Sequence, residues 1–295
     1  MNKTICALGF FDGVHLGHQA LLTQCRRLAS EEGCSAGVVT FASHPDALVL
    51  GSTPRLINDP KDRQWLLEEK FHMDFVVTLP FDEEMRTMPW EDFLTMLQRE
   101  YGAIGFVCGE DFRFGVRGAG TAETLKAYCE TGNLRCAVVP EQTLDGIRVS
   151  STYIRQQLET GDMATAVRFL GHPHVLRGRV IHGKQLGRRL GIPTANLCLP
   201  EGLALPKFGV YACKCTVDGE SHPAVTNIGT RPTVNGTGIT VEPWILSYGG
   251  DLYGREIILE FYRFLRPEQK FPSLEALKNA IRRDAEETRQ LYRNL

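Results

Sequence analysis

The sequence predicts an α/β protein in two parts: a doubly wound parallel sheet with its helices, then a smaller region of strands that ends in one helix. Three observations predict this arrangement. The 295 residues are enough for about two domains. From residue 1 to about 170, short apolar runs alternate with segments of helical period, which is typical of a parallel sheet covered by helices. From about 174 the helical segments give way to closely spaced strands.

Short apolar runs define the predicted strands of the first part. They span 4–10, 36–41, 75–79, 104–108 and 135–139. The segments between and after them repeat apolar residues every three or four positions, and Asp59 followed by Pro60 marks one helix start. The predicted helices span 19–31, 60–71, 90–101 and 121–131.

The second part has short strands separated by turn signals, of which Asp218-Gly219 is a strong hairpin signal. The strands are predicted at 175–181, 194–199, 210–217, 224–228, 240–248 and 256–265. That many strands in so short a region suggest a small barrel or a sandwich. A final helix follows Ser273, a plausible cap, and its charged residues form a solvated face. Gly171 and Pro173 end the preceding helix, 163–170, so the predicted domains are 1–172 and 173–295.

Composition and charge exclude several classes of protein. Thirty-three Lys and Arg against 35 Asp and Glu give a net charge of −2, so no global field attracts nucleic acid or an anionic membrane. The N-terminus has no secretory pattern, and no apolar stretch is long enough to span a bilayer. Nine cysteines without a C-x-x-C pair are typical of buried thiols in a reducing compartment. We expect a soluble cytoplasmic protein that binds small molecules, and the sequence leaves its oligomeric state open.

The first chemical motif follows the first predicted strand, where residues 9–18 read GFFDGVHLGH. A glycine-rich turn between a strand and a helix lets the backbone approach a phosphate and points helix N–H groups at it. His15 and His18 can both donate hydrogen bonds to one phosphoryl group, which suits charge stabilisation at phosphorus. The alternatives are a pair of surface capping histidines, or half of a zinc site for which no further ligands are evident.

The second motif is VSSTYIR at 149–155, at the start of another predicted helix. The hydroxyls of Ser150, Ser151 and Thr152 can cap that helix or bind phosphate oxygens, and Arg155 can pair with a polyphosphate. Capping is the simpler interpretation of this motif alone. Two phosphate-compatible helix starts in one α/β domain favour a nucleotide site.

The third motif opens the second part, where a run rich in glycine and basic residues, 178–191, precedes IPTANL. In an extended segment Thr194 and Asn196 lie on the same face, and their neutral oxygens suit Mg²⁺ that keeps its other ligands from water and ATP. The glycines and Lys184 can then wrap a nucleotide. The alternative is a plain strand edge that begins at a proline. Farther on, Glu242 is a possible inward carboxylate, although a lone strand glutamate usually faces solvent.

Together these motifs resemble known families. The H-x-G-H and S-S-T-x-x-R pair resembles the nucleotidyltransferase superfamily, while the P-loop and G-x-G-x-x-G fingerprints are both missing. FASHP at 41–45 and GEDFRFG at 109–115 resemble its flavin-adenylylating branch. PTAN, NIGTRPT at 227–233, the Val241-Glu242 segment, DLYG at 251–254 and LRPEQKF at 265–271 resemble bacterial riboflavin kinase. The two halves in this order resemble the bifunctional bacterial riboflavin kinase/FMN adenylyltransferase (FAD synthetase) family over nearly the whole chain.

The resemblance implies a nucleotidyltransferase domain followed by a six-stranded antiparallel barrel closed by a helix. It also implies two reactions that use ATP and Mg²⁺, namely phosphorylation of riboflavin to FMN and adenylylation of FMN to FAD. The implied catalytic residues are His15, His18, Arg155 and Glu242, and the implied metal-positioning residues are Thr194 and Asn196. The implied nucleotide-binding residues are Gly9, Phe10, Asp12, Gly13, Gly17, Ser150, Ser151, Thr152, Gly183, Lys184, Gly187 and Gly191. The implied flavin-binding residues are His44, Pro45, Asp111, Phe112, Arg113, Phe114 and Arg231.

Two positions depart from the family pattern. Phe10 stands where the family often has asparagine, which affects one hydrogen bond to flavin or nucleotide. Pro243-Trp244 follow Glu242 where threonine or valine and then histidine are common, so the carboxylate has a changed neighbourhood, and we expect Trp244 to pack in the core. The alternative functions are a monofunctional FMN adenylyltransferase with a degenerate barrel, and a non-catalytic flavin or nucleotide sensor.

Overall fold

A computed structural model describes residues 3–44, 54–182, 192–233 and 236–295. The chain divides into two compact units, residues 1–153 and 154–295. The boundary that the sequence places at 172/173 stays a prediction. None of the helices in the described ranges combines the length and the apolar character that a membrane crossing requires.

The first unit is built on a five-stranded parallel sheet. Its strands are β1 (Thr4–Leu8), β2 (Ser35–Phe41), β3 (Phe75–Leu79), β4 (Ala103–Gly109) and β5 (Arg135–Val139). They lie in the order β3-β2-β1-β4-β5, so the central strand β1 pairs with both β2 and β4. The strand order reverses at β1, and in open α/β sheets the crevice beyond the carboxyl end of such a strand binds ligands.

The helices of this unit begin where capping residues allow. They are α1 (Leu16–Glu32), α2 (Pro60–Trp65) continued by one π-helical turn (Leu66–Lys70), α3 (Glu83–Thr87), α4 (Trp90–Tyr101) and α5 (Ala122–Thr131). A 3₁₀ turn (Val116–Gly118) and a short hairpin of β6 (Thr143–Leu144) and β7 (Ile147–Arg148) complete it. The helix predicted at 19–31 begins at Leu16, because His15 caps it.

A helix α6 (Ser151–Thr160) follows the hairpin, and α7 (Met163–Leu170) ends at Gly171 in the left-handed conformation. The six strands after α7 are β8 (His174–Ile181), β9 (Asn196–Cys198), β10 (Gly209–Val217), β11 (Glu220–Thr233), β12 (Gly236–Ile245) and β13 (Glu256–Arg266). They close a barrel in the order β10-β11-β12-β9-β8-β13 with every pair antiparallel. The structure therefore decides between the two architectures that the strand pattern left open.

Local signals position the ends of these elements as the sequence predicts. Asp218 and Gly219 have φ values of 48° and 84° and connect the paired residues Val217 and Glu220, as in a tight hairpin. Helix α8 (Leu274–Tyr292) starts at Ser273, whose hydroxyl accepts a hydrogen bond from the Ala276 N–H, and it packs on β10 and β11. The nine cysteines are all free thiols, and six of them are buried.

Candidate active sites

The turn after β1 has an unusual backbone. Phe11, Gly13 and Val14 have φ values of 60°, 82° and 42°, and such conformations are concentrated at functional sites. The Thr40 hydroxyl donates to the Phe10 carbonyl at 2.8 Å, and the Gln19 side chain donates to the Val14 carbonyl at 2.9 Å. These bonds fasten the turn to β2 and to α1, so its backbone presents a fixed surface at the carboxyl end of β1.

The two motif histidines lie face to face at the start of α1. Their ring centres are 3.6 Å apart with an angle of 13° between the planes. The Nδ1 atom of His15 accepts from the backbone N–H of His18 at 3.3 Å, so the neutral ring carries its proton on Nε2. A Cβ at Gly17 would lie 3.2 Å from the His15 ring, so glycine there gives that ring its place. His15 is thus both a helix cap and a buried donor.

Burial controls the charge of the second histidine. Desolvation lowers the pKa of His18 well below its ordinary value, and the nearby His15 and Arg63 lower it further. The His18 Nδ1 atom is buried and has no hydrogen-bond partner among the described residues. At neutral pH His18 is therefore a neutral imidazole and not a cation. One of its ring nitrogens can donate a hydrogen bond and the other can accept one.

The structure brings the two helix-start motifs together. The Ser151 hydroxyl donates to the Asp12 carbonyl at 2.8 Å, although the two residues are 139 positions apart. Ser150 caps α6, since its hydroxyl accepts from the Tyr153 N–H at 3.2 Å. Helix α6 carries Arg155 one turn beyond Ser151. Ser150 therefore takes the capping role, Ser151 fastens the helix start to the glycine-rich turn, and phosphate binding by these hydroxyls stays a prediction.

Asp12 holds the turn to a neighbouring loop. It is buried, and its Oδ1 accepts from the backbone N–H groups of Ile57 at 2.8 Å and Asn58 at 3.2 Å. Arg63 also lies near enough for the two charges to interact. This carboxylate therefore has a structural task, and the contact with nucleotide that the sequence suggests stays a prediction.

A largely aromatic cavity of about 430 Å³ lies in the same unit, a volume typical of small-ligand pockets. Phe41 at the end of β2, together with Phe81, Phe93 and Phe114, forms its apolar walls, and Arg113 contributes a cation. Its other lining residues are Met85, Arg86, Met88, Gly115, Arg117 and Gly118. Apolar walls with charged groups among them suit a planar ligand that carries polar edges.

A second cavity, of about 230 Å³, lies in the barrel unit. Thr194, Asn227, Glu242, Glu268 and Asp284 are its polar residues together with Arg266 and Gln269. Its apolar lining consists of Ile192, Val210, Val225, Trp244, Phe271, Leu277 and Ile281. The cavity thus combines strand residues with the segment after β13 and with α8.

Strand register explains why Glu242 faces this cavity. It pairs with Asn227 on β11, and directly paired residues of antiparallel strands point to the same side. Pro243 uses its carbonyl to accept from the Ala195 N–H at 2.9 Å, so its backbone faces the β9 side. Proline has no N–H to donate, but at this position the N–H would not face β11, so the pairing with β11 loses no hydrogen bond. Proline at 243, where the family differs, therefore leaves Glu242 on the cavity wall.

An ion pair at the end of β13 and a hydrogen bond in the segment after it shape one side of the cavity. The Arg266 guanidinium makes a bidentate pair with Asp284 on α8, donating from Nε to Oδ1 at 3.2 Å and from Nη2 to Oδ2 at 2.8 Å. Asn227 donates to Glu268 at 3.0 Å. Arg266 also lies 5.3 Å from the centre of the Phe271 ring. These contacts give one side of the cavity a defined shape.

Comparisons with known proteins cover both units. Residues 1–153 match the family model described as FAD synthetase, and residues 170–292 match the model described as riboflavin kinase. A bifunctional riboflavin kinase/FMN adenylyltransferase of Listeria monocytogenes is 33% identical over 100% of this chain and 94% of its own length. The enzyme of the same description from Pseudomonas fluorescens is 38% identical over 97% of this chain and 92% of its own.

The chain belongs to the bifunctional riboflavin kinase/FMN adenylyltransferase family. A crystal structure described as a macrolide-efflux protein from Streptococcus pneumoniae has a TM-score of 0.86 and 29% identity, and covers 98% of this chain and 94% of that one. The family resemblance and the fold that the sequence predicted are therefore confirmed.

The predicted flavin-binding residues of the first unit fall into two groups. Arg113 and Phe114 line the aromatic cavity, and Phe112 stacks on Phe114 with ring centres 5.4 Å apart. The rings of His44 and Phe10 instead pack edge to face with their centres 4.6 Å apart. Asp111 forms an exposed ion pair with Arg148, with Oδ2 and Nη2 2.6 Å apart. Neither side chain lines the cavity, so their contact with flavin stays a prediction.

Other predicted site residues lie outside the residues that the structure describes. Pro45, Gly183, Lys184, Gly187 and Gly191 fall in the segments that the described residues leave out. Arg231 lies on β11, where its backbone pairs with Gly238, and its side chain is not described.

Trp244 packs on the cluster of Val210, Val225, Leu246 and Ala285 as expected, and it also lines the barrel cavity.

The metal-positioning prediction is compatible with the barrel cavity. Thr194 lines that cavity with Glu242, whereas Asn196, the first residue of β9, is not among its lining residues, so the paired role of the two side chains stays a prediction. Hydroxyl, amide and carboxylate oxygens are donors that Mg²⁺ accepts alongside water and phosphate. Among the described residues, no three His, Cys, Asp or Glu side chains gather as a metal site, so the zinc alternative gains no ligands there.

Several residues of both cavities escaped the sequence analysis. Phe41 and Phe81 in the first unit and Asn227, Glu268 and Asp284 in the second line cavities without having been assigned a role. Their positions depend on strand register and on contacts between distant segments. The nearest signals were the quoted family segments that contain three of them, FASHP, NIGTRPT and LRPEQKF, whose individual residues received no role.

Proposed function

We propose that this chain converts riboflavin to FMN in the barrel unit and FMN to FAD in the first unit, with ATP as the donor in both reactions. The observation that carries the proposal is that one chain holds both a stacked histidine pair beside two helix starts and a barrel cavity with an inward glutamate. Its cysteines are thiols, which supports the cytoplasm as its compartment.

In the barrel, Glu242 is the general base for phosphoryl transfer. It accepts the proton of the ribityl 5′-hydroxyl as the hydroxyl oxygen forms a bond to the γ-phosphorus of ATP and ADP leaves. Its place on the cavity wall next to Asn227 supports this role. Trp244, Phe271 and the aliphatic residues of α8 supply an apolar surface for the flavin ring.

Thr194 and Asn196 would hold Mg²⁺ together with phosphate oxygens of ATP. Bound there, the ion would neutralise charge on the transferring phosphoryl group. The protein groups then have separate tasks: the two neutral side chains orient, and Glu242 moves the proton. The glycine-rich segment with Gly183 and Lys184 would cover the nucleotide.

In the first unit, a phosphate oxygen of FMN attacks the α-phosphorus of a second ATP and pyrophosphate leaves. His15 donates through Nε2 and, with His18, stabilises the charge on the α-phosphoryl group in the transition state. Because His18 is neutral at neutral pH, it contributes a hydrogen bond. Ser150, Ser151, Thr152 and Arg155 at the start of α6 would hold the polyphosphate.

The aromatic cavity of the first unit is the proposed place for the isoalloxazine ring of FMN. Phe41, Phe81 and Phe114 offer ring faces and edges, and Arg113 offers donors to the polar edge of the flavin. A volume of about 430 Å³ is within the range of sites that bury most of such a ligand.

Chromatography of flavins tests the proposal directly. Purified protein is incubated with ATP and Mg²⁺, once with riboflavin and once with FMN. We expect FAD from both incubations and transient FMN from the first. FAD from FMN alone would contradict the kinase assignment, and no product from either flavin would favour a binding protein.

A further inference from the structure

One cation of the first unit is buried without enough partners. The Arg63 side chain on α2 is fully buried, with 0% of its surface exposed. Its Nη2 atom donates to the Phe41 carbonyl. Its Nε and Nη1 atoms have no hydrogen-bond partner among the described residues. A buried guanidinium with two unpartnered nitrogen atoms is costly, and such exceptions call for an explanation.

Arg63 lies where the flavin cavity and the histidine pair approach each other. Phe41, whose carbonyl it binds, lines the aromatic cavity. Its Cζ is 4.3 Å from the centre of the Phe10 ring, in the turn that leads to His15. Its charge also contributes to the low pKa of His18, so the two side chains are close. The guanidinium is therefore near both the ring site and the phosphoryl-transfer site.

The surrounding carboxylates do not use up this charge. Burial lowers the pKa of Arg63 to about 10, while Asp12 and Asp59 raise it, so the group is a cation at neutral pH. The Asp12 Oδ1 atom is engaged by the N–H groups of Ile57 and Asn58, and the Asp59 carboxylate caps α2. Phe10, the departure from the family pattern, covers one face of the guanidinium.

We propose that Arg63 binds the phosphate of FMN through Nε and Nη1 and holds it for attack on the α-phosphorus of ATP. The inference rests on the proposed adenylyl transfer. The attacking phosphate oxygen forms the new bond to phosphorus as the bond to the bridging oxygen of pyrophosphate breaks, and no external proton or electron is needed. Arg63 binds the oxygens that do not attack, in the two-donor geometry that arginine uses for phosphates.

The position favours the FMN phosphate over the phosphates of ATP. Arg63 is fastened to the backbone of a residue that lines the flavin cavity, whereas the proposed polyphosphate contacts lie at the start of α6. In the proposed complex the ring of FMN lies in that cavity and its phosphate extends past Arg63 toward the histidines. An arginine on its path can distinguish FMN from riboflavin, which has the same ring and no phosphate.

Steady-state kinetics of FAD formation by the full chain test this role. For Arg63→Gln we expect the KM for FMN to rise 10- to 100-fold, the range for losing charged hydrogen bonds, and the KM for ATP to stay within about twofold. Arg63→Lys keeps the charge and should recover part of the loss. The matched control is Arg99→Gln, which changes an exposed arginine of α4 and should leave both constants unchanged.

Other results would overturn the assignment. An unchanged KM for FMN in folded Arg63→Gln, with wild-type FAD formation intact, would make Arg63 purely structural. An equal rise in the KM for ATP would assign it to the nucleotide. A wild type that makes no FAD from FMN would instead remove the proposed function itself.

If both Arg63 variants fail to fold, inhibition of FAD formation by riboflavin tests the phosphate subsite instead. This measurement uses the Glu242→Gln variant with Arg63 intact. That variant is chosen because the barrel should no longer consume riboflavin. We expect riboflavin to inhibit FAD formation with a constant at least 10-fold above the KM for FMN, since it lacks the group that Arg63 binds. A riboflavin constant equal to the KM for FMN would contradict a phosphate subsite.

Discussion

The two units build their phosphate chemistry in different ways. The first unit has its proposed reacting groups on a turn and two helix starts, so most of them belong to two short runs of sequence, 9–18 and 149–155. The second gathers Thr194, Asn227, Glu242, Glu268 and Asp284 from separate strands, a loop and the last helix. A helix start is a local device, whereas a barrel wall exists only after several strands have paired.

The charged groups of the two sites differ in the way that the two proposed reactions require. The first site has the stacked histidine pair, of which His18 is neutral, and a buried cation, and its proposed substrates, ATP and FMN, both carry phosphate. The second has three carboxylates on its wall, Glu242, Glu268 and Asp284, and its proposed reaction removes a proton from a hydroxyl. A site that joins two anions needs donors and positive charge, and a site that activates an alcohol needs a base.

The largest expected effect separates the sites by removing the base. Glu242→Gln should lower FMN formation from riboflavin by about 10²- to 10⁴-fold, the usual range for a general base. FAD formation from added FMN should stay within about twofold. Chromatography of both reactions measures this, with the exposed Glu220→Gln as the matched control. A parallel loss of both activities in a folded protein would contradict two independent sites.

The converse substitution removes the histidine pair. His15→Asn with His18→Asn should lower FAD formation from FMN by on the order of 10²- to 10³-fold, because donors aimed at the transferring group are lost. The riboflavin kinase reaction should be spared. His72→Asn is the control, since His72 is exposed and has a φ of 53° that asparagine tolerates. Retention of FAD formation would exclude the pair from the transition state.

A smaller effect concerns the shape of the barrel cavity. Asp284→Asn leaves Arg266 without its charged partner, and we expect about 2–4 kcal/mol of destabilisation because the pair is mostly buried. The KM for riboflavin should rise more than the KM for ATP, since this pair fastens the cavity side next to Phe271. Urea unfolding and kinase kinetics measure both, with exposed Asp251→Asn as control. An unchanged midpoint would mean the pair contributes no net stability.

The smallest effect is a pH dependence in the second unit. Burial lowers the pKa of His174 to about 3, so below pH 6.5 the unfolded chain takes up a proton that the native chain refuses. Stability is therefore lost as the pH falls through 6.5, by about 1.4 kcal/mol per pH unit at most. His174→Leu should remove this part of the slope between pH 6.5 and 5 in urea unfolding. An unchanged slope would place the acid sensitivity elsewhere.

Much of the fold was predictable because its signals are local. Asp59 with Pro60, Asp218 with Gly219, and Ser273 each mark a boundary through hydrogen bonds or backbone angles that involve only neighbouring residues. Two helices differ from the prediction: α1 starts earlier because His15 caps it, and the helix predicted at 60–71 turns π-helical after Trp65.

The sites were predictable to different extents for the same reason. His15, His18, Ser150 and Ser151 can be found in the sequence, because a turn and a helix start have fixed residue preferences. Phe41 and Asn227 cannot, since strand pairing decides which cavity they line. Arg63 lay within a predicted helix, and no local feature distinguishes a buried arginine from an exposed one.

The sequence by itself determined the two-part α/β organisation, the family and the residues of the contiguous motifs. Hydrophobic period and capping act over a few residues, so they are legible in one chain. The strand pattern left barrel and sandwich open, and the family resemblance predicted the barrel that the structure confirms. Only the tertiary structure decided that Ser151 meets Asp12 and that Glu242 faces inward beside Pro243. It also decided that Arg63 is buried behind the Phe41 carbonyl, with donors that no described residue uses. These facts depend on packing between segments that are far apart in the sequence, so the residues of any one short segment do not determine them.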